Sequence, residues 1–221
     1  MIRKIFSYII PIKIFKKKSA RSKMIEVTWA NGKLVLDTEN TNYSYGSLQR
    51  ILRYGLRNIG YEKILEMDHI LLLGVAGGSV VKTLVDEIAY KEKITGVEID
   101  PDMIHIANEY FNLNQIKQLE VVIDDAFEFV LKTKEKYDLI IIDIFEDTHM
   151  PNFLFEKFFV DRVCTLLRDK GFVLFNTMIL DEAHNVRNRK YVAEVNPKMF
   201  KTKMLPRIEV HNELIIINKV A

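Results

Sequence analysis

Short apolar runs alternate with stretches of helical spacing along the chain from residue 69 onward. The predicted strands cover residues 70–74, 94–99, 119–123, 137–143 and 172–176, and the predicted helices cover 80–89, 101–111, 126–134 and 153–167. Uninterrupted apolar runs such as 139–142 are typical of strands that are buried on both faces of a parallel sheet. The pattern therefore predicts an α/β domain in which helices connect five parallel strands.

Two more apolar runs, 200–205 and 213–218, lie near the C-terminus with no room for a helix between them. Strands that are joined by so short a connection pair antiparallel. We therefore expect the sheet of five parallel strands to finish in an antiparallel pair.

The chain before residue 60 has a different pattern. Residues 24–29 and 33–37 are β-like runs on either side of Asn31-Gly32, a dipeptide that favours a tight hairpin because both residues tolerate positive φ. A polar loop is expected next, at 38–45, and a helix at 47–59. The expected organisation is a basic lead-in at 1–23, a β-hairpin and helix unit at 24–60, and an α/β domain at 61–221.

Charge is distributed unevenly between these parts. Residues 1–23 contain eight basic and no acidic residues, so the rest of the chain, with 24 basic and 30 acidic residues, is net acidic. An acidic body argues against a nucleic-acid partner. The basic segment is expected to be a solvated lead-in, and the alternative is an amphipathic segment that rests on an anionic membrane surface. Its apolar stretch, broken by Pro11 and Lys13, is shorter than the ~20 residues of a spanning helix.

Cysteine and histidine content limits the chemistry further. The chain has one cysteine, Cys164, which excludes an intramolecular disulfide and suits a reducing, cytoplasmic compartment. The five histidines lie on separate predicted elements with no pair at metal-ligand spacing, so no metal site is expected.

A glycine-rich turn follows the first predicted strand of the α/β domain. It contains Gly74, Ala76, Gly77 and Gly78, and such a turn lets backbone N–H groups approach a ligand at the start of a helix. Glu98 ends the second strand, 24 residues after Gly74, where a carboxylate can accept hydrogen bonds from both hydroxyl groups of a ribose. The glycine turn could instead be an ordinary tight turn between a strand and a helix, and Glu98 could be a solvated acid at a strand end. Together, at this spacing, the two features favour a nucleoside cofactor.

Acidic residues also follow the third and fourth predicted strands. One of Asp124 and Asp125 is expected to cap the next helix, and the other to accept a hydrogen bond from an adenine amino group. Asp125, which Ala126 follows, is our choice for the adenine. Asp143 and Glu146 lie beyond the fourth strand, where ligands bind in open parallel sheets. There they would attract a cationic amine and accept its proton during attack on an electrophilic carbon. The alternative is a loop of solvated acids.

These segments together resemble the spermidine synthase-like family within the class I S-adenosylmethionine-dependent methyltransferase fold. The resemblance runs from about residue 24 to the C-terminus and is carried chiefly by 97–100 (VEID), 125–127 (DAF) and 137–143 (YDLIIID). It implies a Rossmann-like sheet and S-adenosylmethionine, or its decarboxylated form, as the cofactor. It also implies a homodimer in which the N-terminal hairpin pairs with a second subunit.

Departures from the family pattern bear on the reaction. Polyamine-forming members have GGGDGG in the glycine turn, and the aspartate that holds the donor amine is matched here by Gly77. Their DSSDP motif is replaced by 143–147 (DIFED), whose bulky second and third residues would narrow a diamine channel. A lost charge-assisted hydrogen bond is worth ~1.5–3 kcal/mol, enough to change donor preference tenfold. We therefore expect a small-molecule methyltransferase, with aminopropyl transfer or a non-catalytic nucleoside-binding module as alternatives.

Overall fold

The computed structural model describes residues 2–19, 21, 24–38, 42–145, 149–209 and 211–220. Its strands are β1 (Ile12–Lys18), β2 (Met24–Ala30), β3 (Lys33–Thr38), β4 (Asn42–Ser44), β5 (His69–Leu73), β6 (Lys93–Glu98), β7 (Leu119–Ile123), β8 (Tyr137–Ile142), β9 (Leu167–Met178), β10 (Phe200–Ile208) and β11 (Asn212–Lys219). Its helices are α1 (Ile2–Phe6), α2 (Ser47–Ile59), α3 (Tyr61–Leu65), α4 (Ser79–Lys82), α5 (Pro101–Phe111), α6 (Ala126–Lys132), α7 (Lys157–Leu166) and α8 (Glu182–Glu194). None of the helices in these ranges is long and apolar enough to span a bilayer.

The larger sheet has seven strands in the order β10-β11-β9-β8-β5-β6-β7. Strands β5 to β9 are parallel, and β11 runs antiparallel to both of its neighbours, β9 and β10. The predicted fold class is confirmed. Because β11 pairs with β9 as well as with β10, it is inserted between them, and β10 runs in the same direction as the five parallel strands.

Helix α8 makes this arrangement possible, since it crosses from the end of β9 to the start of β10. The hydrophobic pattern did not predict it, because only Asn188 and Tyr191 of its residues are buried. Asn188 fastens the helix to the sheet through polar bonds: its side-chain amide donates to Thr177 Oγ1 at 2.8 Å and to Glu213 Oε1 at 2.9 Å. All three side chains are buried, so the bonds offset the cost of removing them from water.

Apolar side chains cover both faces of the seven-stranded sheet. On one face Leu72 and Leu174 pack with residues of α2 and α4, and on the other Leu71 and Phe175 pack with residues of α7. Every residue of β5 is buried, as expected for a central parallel strand. Full burial of one such side chain contributes roughly 1.5–3 kcal/mol, and the resulting rigid sheet fixes the positions of the loops at its edge.

Two helices differ from their predicted bounds. Helix α4 continues as a π-helical turn over Thr83–Glu87, so the predicted helix at 80–89 is present but changes its hydrogen-bond pattern part-way. The predicted helix at 153–167 is divided at Glu156, whose backbone is extended, into a 3₁₀ turn over Asn152–Phe155 and α7.

The smaller sheet has four strands in the order β1-β2-β3-β4. Its β2–β3 hairpin turns at Asn31 and Gly32, whose φ values of 49° and 75° confirm the predicted hairpin. Strand β4 lies within the region that was expected to be a loop. Strand β1 was not predicted either: Lys13 and Lys16 both pair with Glu26 of β2, while Ile14 packs inward, so residues 12–18 are not a solvated lead-in.

The two sheets are joined by a shared apolar cluster. Ile25, Val27 and Leu36 of the smaller sheet pack against Met103 and Ile106 of α5. This contact places the N-terminal unit over the loops that follow β5 and β6.

Candidate active site

A cavity of about 390 Å³ opens beyond the carboxyl ends of the parallel strands. Segments that follow the six strands β5 to β10 meet there, together with the start of α2. The cavity lining includes Arg21, Gly74, Ala76, Glu98, Asp124, Asp125, Ala126, Asp143, Ile144, Phe145, Glu209, His211 and Asn212. The volume lies within the range of ligand pockets for small molecules and cofactors.

The turn after β5 comes very close to the end of β8. Gly74 has φ of 90°, and a Cβ atom added to it would collide with the carbonyl oxygen of Asp143. Glycine is therefore required at this position for both conformation and space. The close approach brings the glycine turn and Asp143 to the same wall of the cavity.

Glu98 is bound to this turn through backbone amides. The N–H groups of Val75 and Ala76 donate to its Oε2 at 3.1 and 3.0 Å, and the N–H of Asp100 donates to its Oε1 at 3.0 Å. Burial raises the pKa of the Glu98 carboxyl, and the three amide bonds oppose that rise. The carboxylate is thereby fixed at the end of β6, on the edge of the cavity, where it can accept hydrogen bonds from ligand hydroxyl groups.

The acids after β7 do not divide their roles as expected, because Asp125, the residue chosen for the adenine, is the one that caps the helix. Asp125 caps α6, since its Oδ1 accepts from the N–H of Phe127 at 2.8 Å, and Asp124 Oδ1 accepts from the N–H of Asp125 at 2.8 Å. Asp124, Asp125 and Ala126 line the cavity. The second oxygen of Asp125 accepts no hydrogen bond within the described part of the chain, so capping leaves it available to a ligand.

Asp143 sits at the end of a short chain of amide side chains. Asn176 Nδ2 donates to Asp143 Oδ1 at 2.9 Å, and Asn212 Nδ2 donates to Asn176 Oδ1 at 3.0 Å. Burial raises the pKa of Asp143 to about 6, although the bond from Asn176 acts in the opposite direction. Asp143 is therefore a desolvated carboxyl group that changes its charge just below neutral pH.

Sequence reasoning did not select Asn176 or Asn212. Both stand at the ends of apolar strands, β9 and β11, and polar residues at strand ends on one sheet edge are the signal that could have found them. Asn176 lies beside Asp143 because β8 and β9 pair in parallel, whereas Asn212 reaches Asn176 only because β11 is inserted beside β9, which the pattern did not predict.

Gly77 and Gly78 are buried behind the cavity wall. The Tyr45 hydroxyl donates to the carbonyl oxygen of Gly77 at 3.1 Å, and the Tyr45 ring stacks on Phe111 with centroids 4.7 Å apart. The Tyr45 side chain thus lies against the backbone of Gly77. Glu146, the second predicted catalytic acid, lies outside the described residues.

Segments from both ends of the chain complete the cavity. Arg21 reaches it because the neighbouring Ser19 hydroxyl donates to Asp100 Oδ2 at 2.6 Å, beside Glu98. The connection between β10 and β11 supplies Glu209 and His211. None of these residues was among the predicted site residues. In the described ranges, no three His, Cys, Asp or Glu side chains are grouped so as to hold a metal ion.

The Spermine/spermidine synthase domain matches residues 54–206 of the chain. The chain belongs to this family. The match covers more than half of the sequence and includes the cavity wall from the glycine turn to β9. The resemblance found in the sequence is confirmed.

Curated relatives are transferases of two kinds. An "eEF1A lysine and N-terminal methyltransferase homolog" of Drosophila melanogaster is 28% identical over 156 residues, which are 66% of this chain and 22% of the relative. A "Polyamine aminopropyltransferase" of Vibrio vulnificus is 28% identical over 127 residues, which are 56% of this chain and 42% of the relative. The chain thus matches less than half the length of either protein.

Solved structures show the same fold. Human methyltransferase-like protein 13 in complex with SAH has a TM-score of 0.65 and 22% identity, covering 80% of this chain and 83% of the other. A spermidine synthase in complex with the transition state analogue AdoDATO has a TM-score of 0.69 and 20% identity, covering 94% and 74%. At these identities the similarity establishes a class I methyltransferase-like fold.

Proposed function

We propose that this protein transfers the methyl group of S-adenosylmethionine to a small-molecule amine. The observation that carries the proposal is the joining of three groups at one cavity. Glu98 is held by the glycine turn, Asp125 has an oxygen available for a ligand, and Asp143 is a desolvated acid. The first two suit a nucleoside, and the third suits the reacting amine.

The donor side of the cavity fits a nucleoside. Gly74 lets the turn after β5 pack directly against the backbone of Asp143, and the carboxylate of Glu98 on the same cavity would accept hydrogen bonds from the ribose hydroxyl groups. The remaining oxygen of Asp125 would accept one from the adenine amino group. Bound there, the donor supplies an electrophilic methyl carbon on a sulfonium sulfur.

Asp143 would act on the acceptor. Its pKa of about 6 leaves it mostly ionised at pH 7.5, so it would attract a cationic amine and take the proton that the nitrogen loses. The nitrogen–carbon bond forms as the carbon–sulfur bond breaks. Asn176 would hold the carboxylate in position through its 2.9 Å hydrogen bond.

The glycine turn favours methyl over aminopropyl transfer. Gly77 carries no carboxylate to attract the bare amine of a decarboxylated donor. The carbonyl oxygen of Gly77 already accepts a hydrogen bond from the Tyr45 hydroxyl. Ile144 and Phe145 line the cavity beside Asp143, where they would reduce the room for a long diamine. These features support S-adenosylmethionine with its own carboxylate as the donor.

Product analysis tests the proposed reaction. The protein is incubated with S-adenosylmethionine and a panel of primary amines, and in parallel with decarboxylated S-adenosylmethionine and putrescine. We expect methylated amine and S-adenosylhomocysteine in the first reaction only. Spermidine in the second reaction, without methylated product in the first, would contradict methyl transfer.

Aminopropyl transfer is the second candidate, because the relatives include polyamine aminopropyltransferases and Asp143 is retained. Nucleoside binding without turnover of either donor would instead support a non-catalytic module. The homodimer and the cytoplasmic location remain predictions.

A further inference from the structure

The N-terminal segment exposes an unusual amount of apolar surface. Its large apolar side chains have exposed fractions between 55% and 78%, and they are Ile2, Ile5, Phe6, Tyr8, Ile9 and Ile10. We call these six residues the apolar patch. Soluble domains rarely leave so many neighbouring apolar side chains in water unless the surface contacts something.

The fold holds the patch in place. Ser7, which is buried, accepts a hydrogen bond from the N–H of Asn31 through its carbonyl oxygen at 2.9 Å and one from the N–H of Gly32 through Oγ at 3.0 Å. The Ser7 hydroxyl also donates to the carbonyl oxygen of Lys4 at 2.6 Å. The segment is thus fixed to the turn between β2 and β3, so the exposure of its neighbours is built into the structure.

The charges around the patch are of one sign. Residues 1–23 contain no acidic residue, and Arg3 and Lys4, which lie between the apolar side chains of the patch, form no ion pair within the described part of the chain. Apolar side chains among unpaired cations match an anionic lipid surface, which offers both a hydrocarbon layer and negative charge. A second copy of the same patch would bring these cations against each other.

We propose that the apolar patch docks the protein on the surface of an anionic phospholipid bilayer. The patch lies outside residues 54–206, the segment that matches the family domain. This binding is independent of the reaction proposed above. The patch would enter the headgroup region while Arg3 and Lys4 contact lipid phosphates.

Vesicle sedimentation with the full chain tests the proposal. We expect the protein to pellet with phosphatidylcholine vesicles that contain phosphatidylserine, and at least about tenfold less with phosphatidylcholine alone or in high salt. The double variant Ile5→Ser/Ile9→Ser should reduce binding to the anionic vesicles at least about tenfold. The matched control is Leu65→Ser/Val186→Ser, which replaces two apolar side chains outside the patch that are 46% and 55% exposed. This variant should bind the vesicles as the wild type does.

Three results would overturn the proposal. They are failure of the wild type to pellet with anionic vesicles, equal loss of binding in the control variant, and binding that does not depend on phosphatidylserine. Light scattering tests whether a second copy of the chain covers the patch instead. If the wild type is a dimer that does not bind vesicles, and the patch variant is a monomer, the patch is a subunit contact. If the double variant does not fold, Arg3→Glu/Lys4→Glu replaces it and should lose binding to the same vesicles.

Discussion

Two carboxyl groups at the cavity differ because their surroundings differ. Glu98 accepts three backbone N–H bonds, which oppose the effect of burial and keep it fixed in one position. Burial raises the pKa of both carboxyl groups, that of Asp143 to about 6, and Asp143 accepts a single side-chain amide bond, from Asn176. A carboxylate held by three amides suits the binding of hydroxyl groups, whereas a carboxyl with one such bond is free to exchange a proton with a ligand.

The rate of transfer should depend on the charge of Asp143. Because only the ionised carboxylate can accept the amine proton, the Asp143-dependent part of the rate should fall as pH drops through about 6. The Asp143→Asn variant should lose about a hundredfold in kcat at pH 7.5 and should lose this pH dependence. Initial rates of S-adenosylhomocysteine formation across the pH range measure both effects. An unchanged profile in the variant, with donor affinity retained as the control, would remove Asp143 from the mechanism.

The turn after β5 illustrates how one element fixes the site. Gly74→Ala should destabilise the protein by about 2–4 kcal/mol, since the new Cβ would meet the Asp143 carbonyl oxygen at a positive φ. Gly60→Ala is the matched control: its φ is 109°, but the nearest atom to a Cβ is 3.9 Å away on a flexible lysine. It should cost only the conformational strain of about 1–2 kcal/mol. Urea unfolding compares the two variants, and equal losses would show that the close contact is not significant.

Most elements could be predicted from apolar periodicity, because strands such as β5 and β8 are buried on both faces. Helix α8 and strand β1 could not. Helix α8 is held by the buried amide of Asn188 rather than by an apolar face, so it has no apolar periodicity. Strand β1 contains four lysines in seven residues, so its sequence does not show the alternation of a strand that pairs with β2.

The acidic and glycine residues of the cavity were selected from sequence because each follows a predicted strand. Asn212 and Arg21, which line the cavity, and Asn176, which holds Asp143 from behind, were not, since their positions depend on contacts between segments that are distant in sequence. Spacing along a chain cannot show that Asn212 of the last strand lies against Asn176, or that Ser19 carries Arg21 to the loop after β6. The roles assigned to the selected residues remain predictions.

At the scale of the whole molecule, the two sheets depend on a common core. Ile106→Ala in α5 should cost about 2–4 kcal/mol, because Ile106 is fully buried where α5 packs on Ile25 and Val27. Unfolding should remain a single transition, since the contact joins both sheets. The exposed Ile123→Ala is the control and should change stability by less than about 0.5 kcal/mol. Two separate transitions in calorimetry would instead show that the N-terminal unit folds independently.

Donor preference separates methyl transfer from aminopropyl transfer, since the nucleoside part of the cavity suits either donor and the glycine turn is proposed to distinguish them. Isothermal titration with S-adenosylmethionine and with its decarboxylated form measures it directly. Glu98→Gln should weaken both at least about tenfold, and Glu120→Gln, on the exposed side of β7, should weaken neither. We predict tighter binding of S-adenosylmethionine, because Gly77 provides no carboxylate to repel its carboxyl group. Tighter binding of the decarboxylated form would contradict the account.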